Sequence, residues 1–149
     1  MKRLSKLSQE CIANNGLCCE NRTPPILLPN ERKLIKGKAS KEFTFGKEIA
    51  MPKGLCCFFK EPFCSVYLKR PVDCRTYPVS VDFENGKTVY LIDRNCPAVK
   101  KGLVSKRFIQ KAIKLWTQAN PTQKWISEYI NRDNQANYDW ISVEEYQRR

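Results

Sequence analysis

Eight cysteines and no histidine limit what this 149-residue chain can fold into and do. The cysteines stand at Cys11, Cys18, Cys19, Cys56, Cys57, Cys64, Cys74 and Cys96, all within the first two-thirds of the sequence. Without imidazole, no Ser-His-Asp or Cys-His nucleophile can be assembled. Zinc sites with imidazole ligands, His-ligated haem and the facial triad of non-haem iron oxygenases are excluded on the same ground. A general base would have to be Asp, Glu, Lys, Tyr or Cys. A metal would have to be held by thiolate, carboxylate or backbone.

An even number of cysteines admits a disulfide framework. Two features weigh against it. Residues 1–8 are basic but no apolar segment follows them, so no secretory leader is expected, and the reading places the chain in the cytoplasm, where thiols stay reduced. Eight cysteines in 149 residues also fall below the roughly 8–10 % that marks disulfide scaffolds. Two pairs, Cys18-Cys19 and Cys56-Cys57, are adjacent in sequence. Neighbouring cysteines bridge each other only with strain, but together they offer two thiolates from one short segment. Inert burial as small hydrophobes would suit one or two cysteines, not eight gathered among Gly, Pro and Arg. The spacing therefore points to a thiolate site for zinc or an iron–sulfur cluster. The long gap from Cys19 to Cys56 requires the chain to fold back, which couples metal binding to folding.

The rest of the sequence predicts an α+β domain. Ile26-Leu27-Leu28 is a short apolar run, Asn30 and Glu31 mark a helix start that Gly37 would end, and residues 38–54 suggest short strands or a loop. Pro71 allows a helical turn through Asp73-Cys74-Arg75 before Pro78 stops it. Val79–Phe83 and Thr88–Ile92 flank Glu84-Asn85-Gly86-Lys87, and Asn-Gly is a strong hairpin signal. That hairpin would bring Cys96 near Cys74 at its open end. Residues 103–118 place Val104, Phe108, Ala112, Leu115 and Trp116 on one helical stripe. Pro121 opens a second helix with Trp125, Ile126, Tyr129 and Ile130, and Ser142-Val143-Glu144-Glu145 reads as a capping box. The expected architecture is a small cysteine-rich metal-binding core with a β-hairpin, residues 1–102, packed by a C-terminal helical segment, residues 103–149, in one structural domain. No apolar run approaches the roughly 18 residues that a transmembrane helix needs.

The segments Cys56-Cys57-Phe58-Phe59, Cys64-Ser65-Val66-Tyr67-Leu68-Lys69-Arg70-Pro71-Val72-Asp73-Cys74-Arg75-Thr76-Tyr77-Pro78 and Cys96-Pro97 resemble the YkgJ-type cysteine-cluster family, described as zinc- or iron-chelating. Asn15-Gly16-Leu17-Cys18-Cys19 occupies the place of that family's N-terminal cluster. The Arg-Pro-x-x-Cys-Arg segment is the specific part, and the likeness spans about residues 11–102. It implies Cys18, Cys19, Cys56, Cys64, Cys74 and Cys96 as ligands. Asn15 stands where the family usually has a cysteine, so either Cys11 or Cys57 fills that place. Some larger relatives are flagellin lysine N-methylases, which makes a protein-lysine N-methylase-like enzyme the alternative by analogy. No Gly-rich nucleotide loop supports that alternative.

Charge completes the reading. Four thiolates on one zinc ion leave a net charge of −2 that needs compensation when partly buried. Arg70 and Arg75 flank Cys74, with Lys69 and Arg94 close in sequence, and these cations are expected to support the thiolates. Ordinary ion-pair duty, for instance with Asp73, is the simpler role. Tyr67 and Tyr77 read as core, and Pro71 and Pro78 as fixing turn geometry. The chain carries a net charge of +12, with 23 basic and 10 acidic residues in 1–116 against 4 and 5 in 117–149. Lys100, Lys101, Lys106, Arg107, Lys111 and Lys114 supply six cations and no acid over 15 residues. They make a metal-stabilised nucleic-acid-binding module, or contact with an acidic protein, a second alternative, set against a plain solvated helix face.

Overall fold

The computed structural model describes residues 25–31, 44–45, 48–49, 56, 59–60, 63–65, 67–133 and 138–149, and the chain divides into two compact units, Met1–Pro71 and Val72–Arg149. In the first unit, Ile26, Leu27 and Leu28 are buried. Glu31 is buried with them, and its carboxylate accepts from the Leu28 amide at 2.8 Å while its own amide donates to the Leu28 carbonyl at 3.0 Å. This reciprocal pairing satisfies two backbone groups where a helix opens. The expected course of that helix to Gly37 lies outside the described residues. The stretch expected to hold short strands or a loop contains two short strands, β1 (Thr44–Phe45) and β2 (Glu48–Ile49), which pair antiparallel. A second antiparallel pair follows, β3 (Phe59–Lys60) with β4 (Phe63–Cys64), and then a single 3₁₀ turn at Tyr67–Lys69.

The second unit is built around an antiparallel sheet. A five-residue helix, α1 (Val72–Thr76), forms where Pro71 permits it and ends before a cis Tyr77–Pro78 peptide. Strands β5 (Val79–Glu84) and β6 (Lys87–Asp93) make the predicted hairpin, each one residue longer towards the turn than expected. Asn85 and Gly86 both take positive φ, 49° and 77°, the two-residue turn whose twist matches the strands. A third strand, β7 (Trp140–Ser142), pairs with β6 through Leu91–Ser142, Ile92–Ile141 and Asp93–Trp140. At three residues it is too short for sequence alternation to reveal.

Hydroxyl caps set the helix starts. After a short helix, α2 (Pro97–Lys100), Ser105 accepts from the Phe108 amide at 3.1 Å, so α3 (Lys106–Ala119) begins three residues later than expected. Thr122 caps α4 (Gln123–Asp133) by accepting from the Trp125 amide at 3.1 Å, so the helix starts past Pro121. Ser142 accepts from the Glu145 amide at 3.1 Å and opens α5 (Val143–Arg148) at the predicted capping box. The buried stripe of α3 is Ile109, Ala112 and Trp116, with Val104 just ahead of the helix. Phe108 and Leu115, expected on that stripe, lie at its margins and are half-buried. On α4, Trp125, Ile126, Tyr129 and Ile130 are all buried as expected. Trp125 stacks on Tyr129 at 5.0 Å, Trp116 tilts against both at 5.9 Å, and the Trp116 indole N–H reaches the Val79 carbonyl at 3.4 Å.

One buried carboxylate ties these parts together. Asp93, at the end of β6, is 1 % exposed. Its Oδ2 accepts from the Tyr77 hydroxyl at 2.6 Å, and its Oδ1 accepts from the amides of Asn95 at 2.9 Å and Asp139 at 3.0 Å. Asp93→Ala removes the acceptor of three part-buried donors at once, and is expected to lower stability to urea by about 3 kcal/mol. An unchanged unfolding midpoint would show that the carboxylate does not carry this joint.

Candidate metal centre

Two of the cysteines are placed by the two strands of the hairpin, at its open end. Cys74 lies on α1, which runs into β5 through Tyr77 and Pro78. Cys96 lies just beyond β6. Val79 pairs with Ile92, and the Asp93 amide donates to the Pro78 carbonyl at 3.0 Å, so both segments leave the sheet at the same end. This is the topology the Asn-Gly turn predicted.

Local chemistry fixes each segment. Asp93 caps the turn that follows it, with its side chain accepting from the Asn95 amide and its carbonyl accepting from the Cys96 amide at 3.2 Å. That turn sets Cys96 in an extended conformation at the N-cap of α2, with Pro97 as the first helical residue, and the Lys100 amide closes on the Cys96 carbonyl at 3.0 Å. The Cys96 side chain does not cap the helix, and the residue is buried. On the other side, the Thr76 hydroxyl donates to the Val72 carbonyl at 2.9 Å and closes α1 on itself. Asp73, next to Cys74, accepts from the Tyr129 hydroxyl at 2.8 Å, and that hydroxyl accepts from Ser80 at 2.9 Å. The half-buried Cys74 therefore sits on a helix tied by a polar chain to β5 and α4. Helix α1 also packs on α3.

The cations predicted to support the thiolates are found in different settings. Arg75 is exposed and Arg70 half-buried. Arg94 turns to Asp139, with Nη2 donating to Oδ1 at 2.8 Å and the Arg94 amide donating to the Asp139 carbonyl at 2.9 Å. Asp73, the ion-pair partner considered for Arg70 and Arg75, receives the Tyr129 hydroxyl. Tyr77, expected in the core, is half-buried with its hydroxyl on Asp93, while Pro71 and Pro78 are buried. The side chain of Tyr67 lies outside the described set. The sequence placed Tyr129 on the apolar stripe of α4 but did not show its hydroxyl's links to Ser80 and Asp73, and it gave no sign of the roles of Asp93 and Asp139. Lone Asp residues and a tyrosine hydroxyl's choice of partner leave no periodic signal, and these partners lie up to 56 residues away.

In the first unit, Cys56 is buried and Cys64 half-buried, and Cys64 faces Phe59 across the β3–β4 pair. Cys11, Cys18, Cys19 and Cys57 lie outside the described residues. Among the described residues, no three Cys, Asp or Glu side chains form a group that would hold a metal ion. The donor chemistry still suits one. Sulfur donors in buried and half-buried positions, with Cys74 in a helix and Cys96 on hydrogen-bonded backbone, fit zinc or iron and not a hard cation such as magnesium. No helix among the described residues is long and apolar enough to cross a membrane.

The CxxCxxCC family model, described as “putative zinc- or iron-chelating domain”, matches residues 10–97, more than half of the chain. No curated protein and no solved structure matches the chain.

Two consequences of this geometry can be measured. Tyr129→Phe deletes both hydrogen bonds that link Ser80 to Asp73, and should cost about 1–2 kcal/mol of stability, read from chemical unfolding. The Arg94 hydrogen bond holds the Asp139 carboxyl below its ordinary value of 3.8, with the charges of Arg94, Arg149 and Lys100 adding to it against some desolvation. A carboxyl depressed in the folded state contributes stability above its unfolded value and loses it as pH falls through the folded value. Asp139→Asn should therefore lower the melting temperature at pH 7, with the gap from wild type closing in the acid range below about pH 4. A gap constant down to acid pH would refute the ion-pair assignment.

Proposed function

Because the chain belongs to the CxxCxxCC family of zinc- or iron-chelating domains, we propose that its cysteine thiolates hold zinc or an iron–sulfur cluster. The observation that carries this reading is that the matched span, residues 10–97, takes in all eight cysteines of the chain. The common exit of the Cys74 and Cys96 segments from one end of the hairpin supports it. In this reading Cys18, Cys19, Cys56, Cys64, Cys74 and Cys96 are ligands, and Cys11 or Cys57 fills the place taken by Asn15. Arg70 and Arg75 offset the negative charge that thiolates bring to the site. The thiolates stay reduced and metal-competent in the cytoplasm.

The two metals give the site different work. Closed four-thiolate zinc is structural and contributes directly to folding. An iron–sulfur cluster carries electrons, with a potential set by hydrogen bonds and charge around the sulfurs. Six to eight cysteines exceed one four-thiolate site, so a second zinc ion, or redox cysteines beside a single cluster, would account for the surplus.

The test is metal and sulfide analysis with a visible spectrum on protein purified without oxygen. Iron with matching sulfide and broad visible absorption assigns a cluster, and colourless protein with tightly held zinc assigns a structural site. Cys74→Ser and Cys96→Ser should each abolish stoichiometric metal retention, and Arg75→Ala should weaken it about 10-fold. Metal-free protein whose eight thiols all titrate would overturn the proposal.

A further inference from the structure

The charge on α3 is placed against the helix's own interest. Lys106 and Arg107 occupy its first turn, which holds no acidic residue, and its last turn holds no basic one. Cations at the positive end of the helix dipole are unfavourable for the helix, so helix stability does not explain them. Lys106, Arg107, Gln110, Lys111, Lys114, Thr117 and Gln118 are all exposed and recur at helical spacings. Ile109, Ala112 and Trp116 are buried on the opposite side. From Lys106 to Lys114 the cations run about 12 Å along the axis. None of Lys106, Arg107, Lys111 and Lys114 has an ion-pair partner among the described residues. No Asp or Glu occurs between Asp93 and Glu128, while Lys100 adds an exposed cation one short loop ahead of α3.

What such a face fits can be narrowed. A protein partner needs a buried aromatic or aliphatic anchor, and interfaces are depleted in lysine. This face has no anchor and is mostly lysine, arginine and glutamine. Insertion into a membrane requires the apolar side of the helix, which is already buried inside the unit. Unpaired bases need exposed aromatic rings to stack on, and the exposed face of α3 carries none. A closely spaced row of phosphates needs only cations and amide donors.

We propose that the exposed face of α3 binds the phosphate backbone of duplex nucleic acid, without reading its sequence. Since α3 carries no cysteine, the proposal stands apart from the metal reading. The test is fluorescence anisotropy of the full chain with a short labelled RNA duplex, a DNA duplex and a single strand. Both duplexes should bind alike, the single strand more weakly, and duplex affinity should fall on the order of 100-fold between about 50 and 200 mM salt if four cations each meet a phosphate. Lys111→Glu with Lys114→Glu should cut affinity about 10-fold or more and reduce the salt slope by about two. Lys87→Glu, an exposed charge reversal at the hairpin turn, should change neither. Equal loss from Lys87→Glu would reduce the binding to bulk charge and overturn the proposal. So would an unaltered slope in the α3 variant, or tighter binding to anionic vesicles or an acidic peptide than to the duplex.

Discussion

The buried carboxylate of Asp93 is the joint on which the second unit depends. Taking a carboxylate out of water is costly, and three short hydrogen bonds from Tyr77, Asn95 and Asp139 compensate it. Each donor comes from a different part of the unit: the approach to β5, the turn towards Cys96 and the approach to β7. With Asp93 in place, the start of β5, the end of β6 and the start of β7 are held at one point, and α1 and α2 begin or end within a few residues of it.

A second polar thread runs nearby. Ser80, Tyr129 and Asp73 link strand, long helix and the Cys74 helix by two hydrogen bonds, alongside the stacked Trp125 and Tyr129 rings. Apolar packing of Trp116, Ile109 and Ile126 supplies bulk cohesion, which is non-directional. The hydrogen bonds supply orientation. A site that needs sulfur atoms in fixed positions requires both kinds of interaction.

The local parts of this structure were legible in the sequence. Asn85-Gly86 fixed the hairpin because only a few residues tolerate two successive positive φ values. Ser142 and Glu145 announced their cap three residues apart, and the Trp125–Ile130 stripe followed from its period. The metal family was visible in the Arg70–Arg75 segment and the spacing of cysteines around it, and its match over residues 10–97 agrees. What was not legible is long-range and polar. Strand β7 is three residues long and pairs with a strand some fifty residues earlier, and Asp93 is one acid among several until its three donors are known. Arg94 looked like support for thiolates because it stands two residues from Cys96, but its guanidinium turns to Asp139.

The hairpin also separates two environments along its length. Its six paired rungs put the Asn85-Gly86 turn on the order of 17–20 Å from the end where the cysteine segments leave. Residues 84–88 are all exposed, with Asn85 and Gly86 holding the positive φ values that the turn requires. The tip is therefore the natural labelling point of this unit. A fluorophore on the exposed side chain of Glu84 or Lys87, with Asn85-Gly86 kept, would extend into solvent and leave the far end of the ribbon undisturbed.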